Sequence, residues 1–147
     1  MGVPAQVTTL DDDISRFRVL ILAGTADEAA IDQNAADRLT KFVDGGGSLI
    51  VEAATAPALR PLLGIDAVDE SQKRESAVLC AACDPSLGDV TRKSERTIEL
   101  DDVQAGSGIG TVGYRPSGDA KVLGTFDDGW AAVLAHPVGA GVAYTVG

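Results

Sequence analysis

Two cysteines and a single histidine are the strongest candidates for catalytic chemistry in this chain. Cys80 and Cys83 form a Cys-Ala-Ala-Cys motif, and His136 stands in an Ala-His-Pro sequence near the C-terminus. Cysteines at this spacing occur in redox and metal sites. However, Asp84-Pro85 predicts a turn where a redox helix would open, and a structural zinc site needs two further ligands. We therefore expect two small, buried thiols at a strand end, and only weak catalytic candidates in Cys80, Cys83 and His136.

A second group of side chains lies in the sequence Asp-Asp-Gly-Trp at 127–130. The Asp-Gly pair is typical of a hairpin turn. Trp130 is the only tryptophan, and such a residue can pack at a subunit interface, cover the sheet or stack on a sugar. The sequence therefore predicts a ligand or interface site at Asp127, Asp128 and Trp130.

Two further carboxylate clusters, Asp11–Asp13 and Asp101–Asp102, could in principle bind a hard cation. Neither shows the Asp-x-Asp-x-Asp-Gly loop with a terminal glutamate that marks a calcium site. We expect both clusters to be solvated acidic surface, with Asp11–Asp13 leading a short turn before Ser15, and we expect no metal and no cofactor.

The overall charge limits the partners. The chain has 147 residues, enough for one domain, with 12 Lys and Arg against 22 Asp and Glu, a formal net charge of −10. Such a surface repels nucleic acids and anionic membranes. It fits either a protein adapted to high salt or an ordinary acidic protein. No apolar run is long enough to span a membrane and the N-terminus lacks signal-peptide features, so the cytoplasm is the default location.

The first half of the chain predicts a parallel crossover unit. The run FRVLILAG (17–24) is typical of a central strand buried on both faces, and NAADRLTKFVD (34–44) has helical spacing of apolar residues. Gly45–Gly47 should end that helix, and SLIVEAA (48–54) should return as a second buried strand. A phosphate-binding loop needs glycines after a strand and before a helix, which is the reverse order.

The second half predicts a short helix and then short strands. APALRPLLG (56–64) should pack on the sheet, residues 66–75 form a charged loop, and GSGIGTVG (106–113) is only weakly strand-like. The C-terminal runs predict an antiparallel meander, because short Asp/Gly connections allow only antiparallel neighbours. The three strands of this meander are AKVLGTF (120–126), WAAVLAH (130–136) and VAYTV (142–146).

Taken together, FRVLILAG, KFVDGGGSLIV, PLLGI and the closing KVLGTFDDGWAAVLAHPVGAGVAYTVG resemble the class I glutamine amidotransferase-like superfamily. They are most similar to its non-catalytic branch, the trimerisation domain of family 42 β-galactosidases. The resemblance implies a three-layer, flavodoxin-like parallel sheet with a C-terminal antiparallel hairpin. It also implies that residues 1–147 are one domain of a longer protein, with a variable insertion at 66–119.

An active member of the superfamily has a nucleophilic cysteine on the sharp turn after the central strand. The matching turn here is Glu52-Ala53-Ala54-Thr55. The resemblance therefore implies a non-catalytic module for assembly or domain packing in a larger, carbohydrate-active protein such as a glycoside hydrolase. Its partners would be copies of itself or neighbouring domains.

Two alternatives stay open. The first is a hydrolase or amidotransferase-type enzyme with a non-standard Cys/His site. The second is a module that binds a small ligand, a sugar or a nucleotide, at the C-terminal edge of the sheet, where open α/β sheets form a crevice.

Overall fold

The computed structural model describes residues 5–24, 26–71, 74–80, 82–83, 96–100 and 110–147. Within these ranges the chain forms nine strands and two α-helices. No helix in the described ranges is both long and apolar enough to cross a membrane. The elements, in chain order, are β1 (Val19–Leu22), α1 (Gln33–Asp44), β2 (Ser48–Glu52), a 3₁₀ turn (Pro57–Leu59), α2 (Arg60–Leu63), β3 (Ile65–Ser71), β4 (Ser76–Leu79), β5 (Thr97–Glu99), β6 (Thr111–Pro116), β7 (Lys121–Phe126), β8 (Ala131–Val138) and β9 (Gly141–Val146).

All nine strands belong to one mixed sheet that curls into a half-barrel. The main order is β1-β2-β9-β8-β7-β4-β5, while β6 pairs with β8 and with β3. Only the β1-β2 and β2-β9 pairs are parallel, and every other pair is antiparallel. The predicted C-terminal meander is confirmed as β7, β8 and β9.

The expected three-layer parallel sheet is not what forms. Its parallel part is limited to β1, β2 and β9. Helix α1 forms the crossover from β1 to β2, and the long connection from β2 to β9 places the last strand parallel to β2. Both helices contribute to the same core cluster, which packs on the inner face of the sheet. The architecture is therefore α/β with a largely antiparallel sheet and helices on one side.

Helix α1 and the turn that follows it agree with the sequence analysis. The Asp32 side chain caps the first turn by accepting a hydrogen bond from Ala35 N at 2.8 Å. Gly46 takes the left-handed conformation, with φ of +102°, that lets the chain reverse into β2. A Cβ at Gly47 would collide with the Phe42 ring, so only glycine fits there.

Strand β1 differs from the prediction that 17–24 is a central strand. It pairs with β2 alone and forms one edge of the sheet. Leu20 is buried against the core, whereas Val19 and Ile21 are 51% and 67% exposed. Alternation along the strand explains the difference, since one face of β1 meets the helices and no described helix covers the other.

The short helix predicted at 56–64 is present as the 3₁₀ turn and α2. It buries Leu59, Leu62 and Leu63 in the core. Gly64 ends it in the left-handed conformation, with φ of +64°. A Cβ on Gly64 would come within 2.9 Å of the His136 ring, so the glycine also allows α2 to approach β8.

The charged stretch predicted as a loop at 66–75 is mostly strand β3. It pairs antiparallel with β6, from Ile65 opposite Pro116 to Ser71 opposite Thr111. The sequence of β3 is too polar to predict a strand, and the strand accommodates these polar residues because all of them are exposed or half-buried. The glycine-rich segment 106–113 likewise contributes to a strand, since β6 begins at Thr111 and its residues 112–114 are buried.

Candidate functional site

The turn after β2 has the backbone geometry of a strained site. Ala53 has φ of +46°, a conformation that costs a residue with a Cβ about 1 kcal/mol or more. Its N–H donates to Val146 O at 2.8 Å, which ties the turn to the end of β9. This is the position at which the sequence analysis looked for a nucleophile, and the side chain there is a methyl group.

The next backbone N–H in the turn is already occupied. Ala54 N donates to the Tyr114 hydroxyl at 2.9 Å, and that hydroxyl lies 3.5 Å from Val146 O. Tyr114 is fully buried, and burial raises the pKa of its hydroxyl. An acyl-transfer site needs such an N–H free to stabilise an oxyanion. Here the tyrosine fills that place, so Ala53 offers no nucleophile and the N–H of Ala54 is not open to an oxyanion.

The two cysteines are joined in a disulfide, with their Cα atoms 5.3 Å apart. Cys80 follows β4, as expected for a strand end, and its N–H donates to Leu123 O at 2.8 Å. The prediction of two buried thiols is wrong, because Cys83 is exposed and both sulfurs are bonded. Since the reactive species of a cysteine is its thiolate, the oxidised pair offers no nucleophile.

His136 bridges β8 to two other segments. Its Nδ1 lies 2.8 Å from Leu62 O at the end of α2, and its Nε2 lies 3.1 Å from an Asp119 carboxylate oxygen. Both neighbours are hydrogen-bond acceptors, so the imidazole satisfies both when its two nitrogens carry protons. These contacts fasten the short helix to the sheet, and neither involves a cysteine.

Asp127 and Asp128 hold the β7–β8 turn through contacts that the sequence analysis did not foresee. Asp127 accepts from Glu75 N at 3.2 Å, and Asp128 accepts from Arg74 Nε at 2.9 Å. Arg74 has a side chain only 1% exposed, and it also pairs with Asp69 at 2.8 Å. No sequence pattern marks this arginine as buried, since it lies in a run of charged residues typical of a surface loop.

Trp130 forms one wall of a cleft of about 270 Å³. The Arg115 guanidinium stacks on the indole, 4.8 Å from the ring centroid. The backbone N–H of Trp130 donates to Asp128 Oδ1 at 3.1 Å, which links the cleft to the Arg74 ion pairs. Of the predicted ligand or interface residues, Asp128 and Trp130 line this cleft, and Arg115 is the residue that the sequence analysis missed.

The acidic cluster at Asp11–Asp13 serves local turns. Asp12 accepts from Thr9 N at 3.1 Å and from the Thr8 hydroxyl at 2.9 Å, and the Thr9 bond is the main reason that its pKa is lowered. The Ser15 hydroxyl donates to Asp13 at 2.6 Å and likewise lowers the pKa of that carboxyl. Asp101–Asp102 lies outside the described residues. No group of three or more potential metal ligands occurs in the described part.

Comparison with known proteins links the fold to one region of much larger enzymes. No family model matches the chain, and no curated protein matches it. A solved structure that does match is Gan42B, a GH42 β-galactosidase from G. stearothermophilus, with 21% identity and a TM-score of 0.66. The match covers 99% of this chain and 21% of that chain.

Two other solved structures show the same likeness. A polyextremophilic β-galactosidase from the Antarctic haloarchaeon Halorubrum lacusprofundi has 16% identity and a TM-score of 0.62, and the match covers 94% of this chain and 20% of that one. A cytoplasmic protein from Salmonella typhimurium has 14% identity and a TM-score of 0.61, with 97% and 64% covered. The chain therefore spans about a fifth of the length of these β-galactosidases, and at such identities the likeness concerns the fold.

Proposed function

We propose that this chain is a non-catalytic packing domain of a larger glycoside hydrolase, related to the amidotransferase-like superfamily, and that it assembles with a second copy of itself. The observation that carries the non-catalytic role is the turn after β2. The strained residue there is Ala53, whose methyl side chain is not a nucleophile, and the next backbone N–H, that of Ala54, is bound by Tyr114. The likeness to about a fifth of the length of GH42 β-galactosidases supports the larger parent protein.

The packing surface in this proposal is the outer face, by which we mean the side of strands β1, β2 and β9 opposite the helices. The register aligns Ile21 with Ile50, and Ile50 with Tyr144. Val19, Ile21 and Val146 are all at least 40% exposed on this side. An apolar patch of adjacent residues that faces water is typical of an interaction surface. No described strand pairs with the outer edge of β1, and such an edge can pair with a strand of another chain.

The test is the absolute mass of the chain in solution, by light scattering coupled to size-exclusion chromatography, at 0.1 M and 2 M NaCl. We expect a defined oligomer that is favoured by salt, because salt screens the repulsion between copies that each carry a net charge of −10. The variant Ile21→Lys should be monomeric without loss of folding. A matched control is Ile98→Lys at the opposite edge of the sheet, where Ile98 is 45% exposed.

A monomer at both salt concentrations would contradict self-assembly, and the outer face would then be assigned to a neighbouring domain. Turnover of an acyl or glycosyl substrate by the isolated chain would contradict the non-catalytic role. Self-assembly and the non-catalytic role are therefore tested by separate measurements, and either can be contradicted without the other.

A further inference from the structure

The cleft beside Trp130 has the size of a site for a single ring. Its volume of about 270 Å³ lies just below the roughly 300–1,000 Å³ of most small-molecule pockets. It opens between the end of β6, strand β7 and the turn that leads into β8. Its lining combines the Trp130 indole and the buried Tyr114 with polar and small apolar groups, among them Arg115, Val122, Thr125 and Asp128.

The cleft offers both hydrogen-bond donors and acceptors. Arg115 is exposed and forms no ion pair with any described residue, so its N–H groups remain available beyond the stack on Trp130. Thr125 supplies a hydroxyl that can donate or accept. Asp128 already accepts one bond on each carboxylate oxygen, and each oxygen has a further lone pair.

The charges around the cleft do not favour an anion. Arg74 is neutralised by its ion pairs with Asp69 and Asp128, and the single positive charge of Arg115 is outweighed by Asp127 and Glu75 at the neighbouring turn. The molecule as a whole, with a net charge of −10, repels anions such as nucleotide phosphates. A neutral ligand therefore fits better than an anionic one.

From the size of the cleft, its hydrogen-bonding groups and its charge, we propose that the Trp130 cleft binds a neutral pyranose ring. The ring would be a free monosaccharide or one residue of a saccharide. The part of the indole that the Arg115 guanidinium leaves uncovered contacts the apolar C–H side of the ring, as aromatic side chains do with ligands that are part apolar and part polar. The Arg115 guanidinium donates to ring hydroxyls, and the hydroxyl of Thr125 and the carboxylate of Asp128 accept from them. This site is independent of the assembly role and of the turn after β2.

The single tryptophan makes the test direct, because all indole fluorescence of the protein comes from the cleft. We would titrate the chain with methyl β-D-galactopyranoside and methyl β-D-glucopyranoside, with D-glucuronate as the anionic counterpart. For a cleft this open, we expect a saturable fluorescence change with a Kd of about 1–10 mM for at least one neutral glycoside. Glucuronate should bind at least about fivefold more weakly, a difference of about 1 kcal/mol.

Two variants connect the signal to the proposed contacts. Arg115→Ala should weaken binding about fivefold or more, and Thr125→Val, which keeps the side-chain shape, should weaken it about threefold. The matched control is Arg16→Ala, because Arg16 also stacks on an aromatic ring, 4.9 Å from the centroid of Phe17, on another part of the chain. It should leave the Kd unchanged.

Three results would overturn the proposal. One is the lack of any saturable change up to about 100 mM of either neutral glycoside, an affinity too weak for a built site. Another is tighter binding of glucuronate than of both neutral glycosides. The third is an unchanged or improved affinity in Arg115→Ala, which would show that the guanidinium is not a donor to the sugar.

Discussion

Ala53 has a backbone conformation that its side chain disfavours. It is the only non-glycine residue with positive φ in the described part of the chain. Strain of this kind persists where the surroundings fix it, and here the fixed points are Val146 O and the hydroxyl of Tyr114. At the scale of single residues, Ala53 is held firmly in this conformation although its side chain is a methyl group.

The strain at Ala53 can be measured by removing its Cβ. Ala53→Gly should raise the free energy of unfolding by about 0.5–1 kcal/mol, because glycine adopts positive φ without steric cost. Ala54→Gly is the matched control at the neighbouring position, which is buried and not at positive φ, and it should lower stability by about 1 kcal/mol. Urea denaturation measures both. A loss of stability in Ala53→Gly would argue against strain at this turn.

Tyr114 is expected to contribute stability through its hydroxyl. Tyr114→Phe leaves the buried N–H of Ala54 without its partner, so the free energy of unfolding should fall by about 1–3 kcal/mol at pH 7. The core packing of the ring is kept in this variant. A loss below about 0.3 kcal/mol would mean that the hydrogen bond is dispensable.

The same residue gives a pH dependence with a defined sign. Burial raises the pKa of Tyr114 in the folded state above the ordinary value of 10.0. The unfolded chain therefore loses this proton first as the pH rises, and stability should be complete below about pH 10 and decline above it. Denaturation of the native chain and of Tyr114→Phe between pH 8 and 11 should show a steeper alkaline decline for the native chain. Parallel curves would contradict the buried hydroxyl.

At the scale of secondary-structure elements, the disulfide cross-links only the turn that follows β4. It spans a loop of only four residues, from Cys80 to Cys83. Because the stabilisation by a disulfide grows with the length of the loop that it closes, a short loop contributes little. The strands on either side are held by pairing of β4 with β5 and β7.

The double variant Cys80→Ser, Cys83→Ser should therefore fold and lose no more than about 2 kcal/mol of stability. Reduction of the native chain with a dithiol reagent should give a similar loss, which thermal denaturation with and without the reagent can measure. Unfolding of the chain on reduction would mean that the bond holds more of the structure than its own turn.

At the scale of the whole molecule, the charge should determine how stability depends on salt. Each chain carries a formal net charge of −10, so its acidic side chains repel one another in the folded state. Raising NaCl from about 0.05 M to 1 M should increase the melting temperature by roughly 3–6 °C, which is about 1–2 kcal/mol for a chain of this length. Size-exclusion chromatography at each salt concentration separates this effect from oligomerisation. A constant or falling melting temperature would contradict it.

Local patterns in the sequence determined those elements whose conformation depends on residues close by in the chain. Helical spacing predicted α1, the glycines after it predicted the reversal into β2, and the Asp/Gly turns predicted the meander of β7, β8 and β9. The absence of a nucleophile at Ala53 was also readable from the sequence. These features follow from backbone preferences and short-range periodicity, which a few consecutive residues express.

The tertiary structure alone decided the rest, because it depends on residues far apart in the chain. Pairing with β6 turns the charged stretch of β3 into a strand, and β1 becomes an edge because β9 takes the inner place beside β2. Tyr114 meets Ala54 across 60 residues, and Arg74 meets Asp128 across 54. No periodicity encodes such contacts, since they arise only when the sheet curls and brings its distant strands to one side.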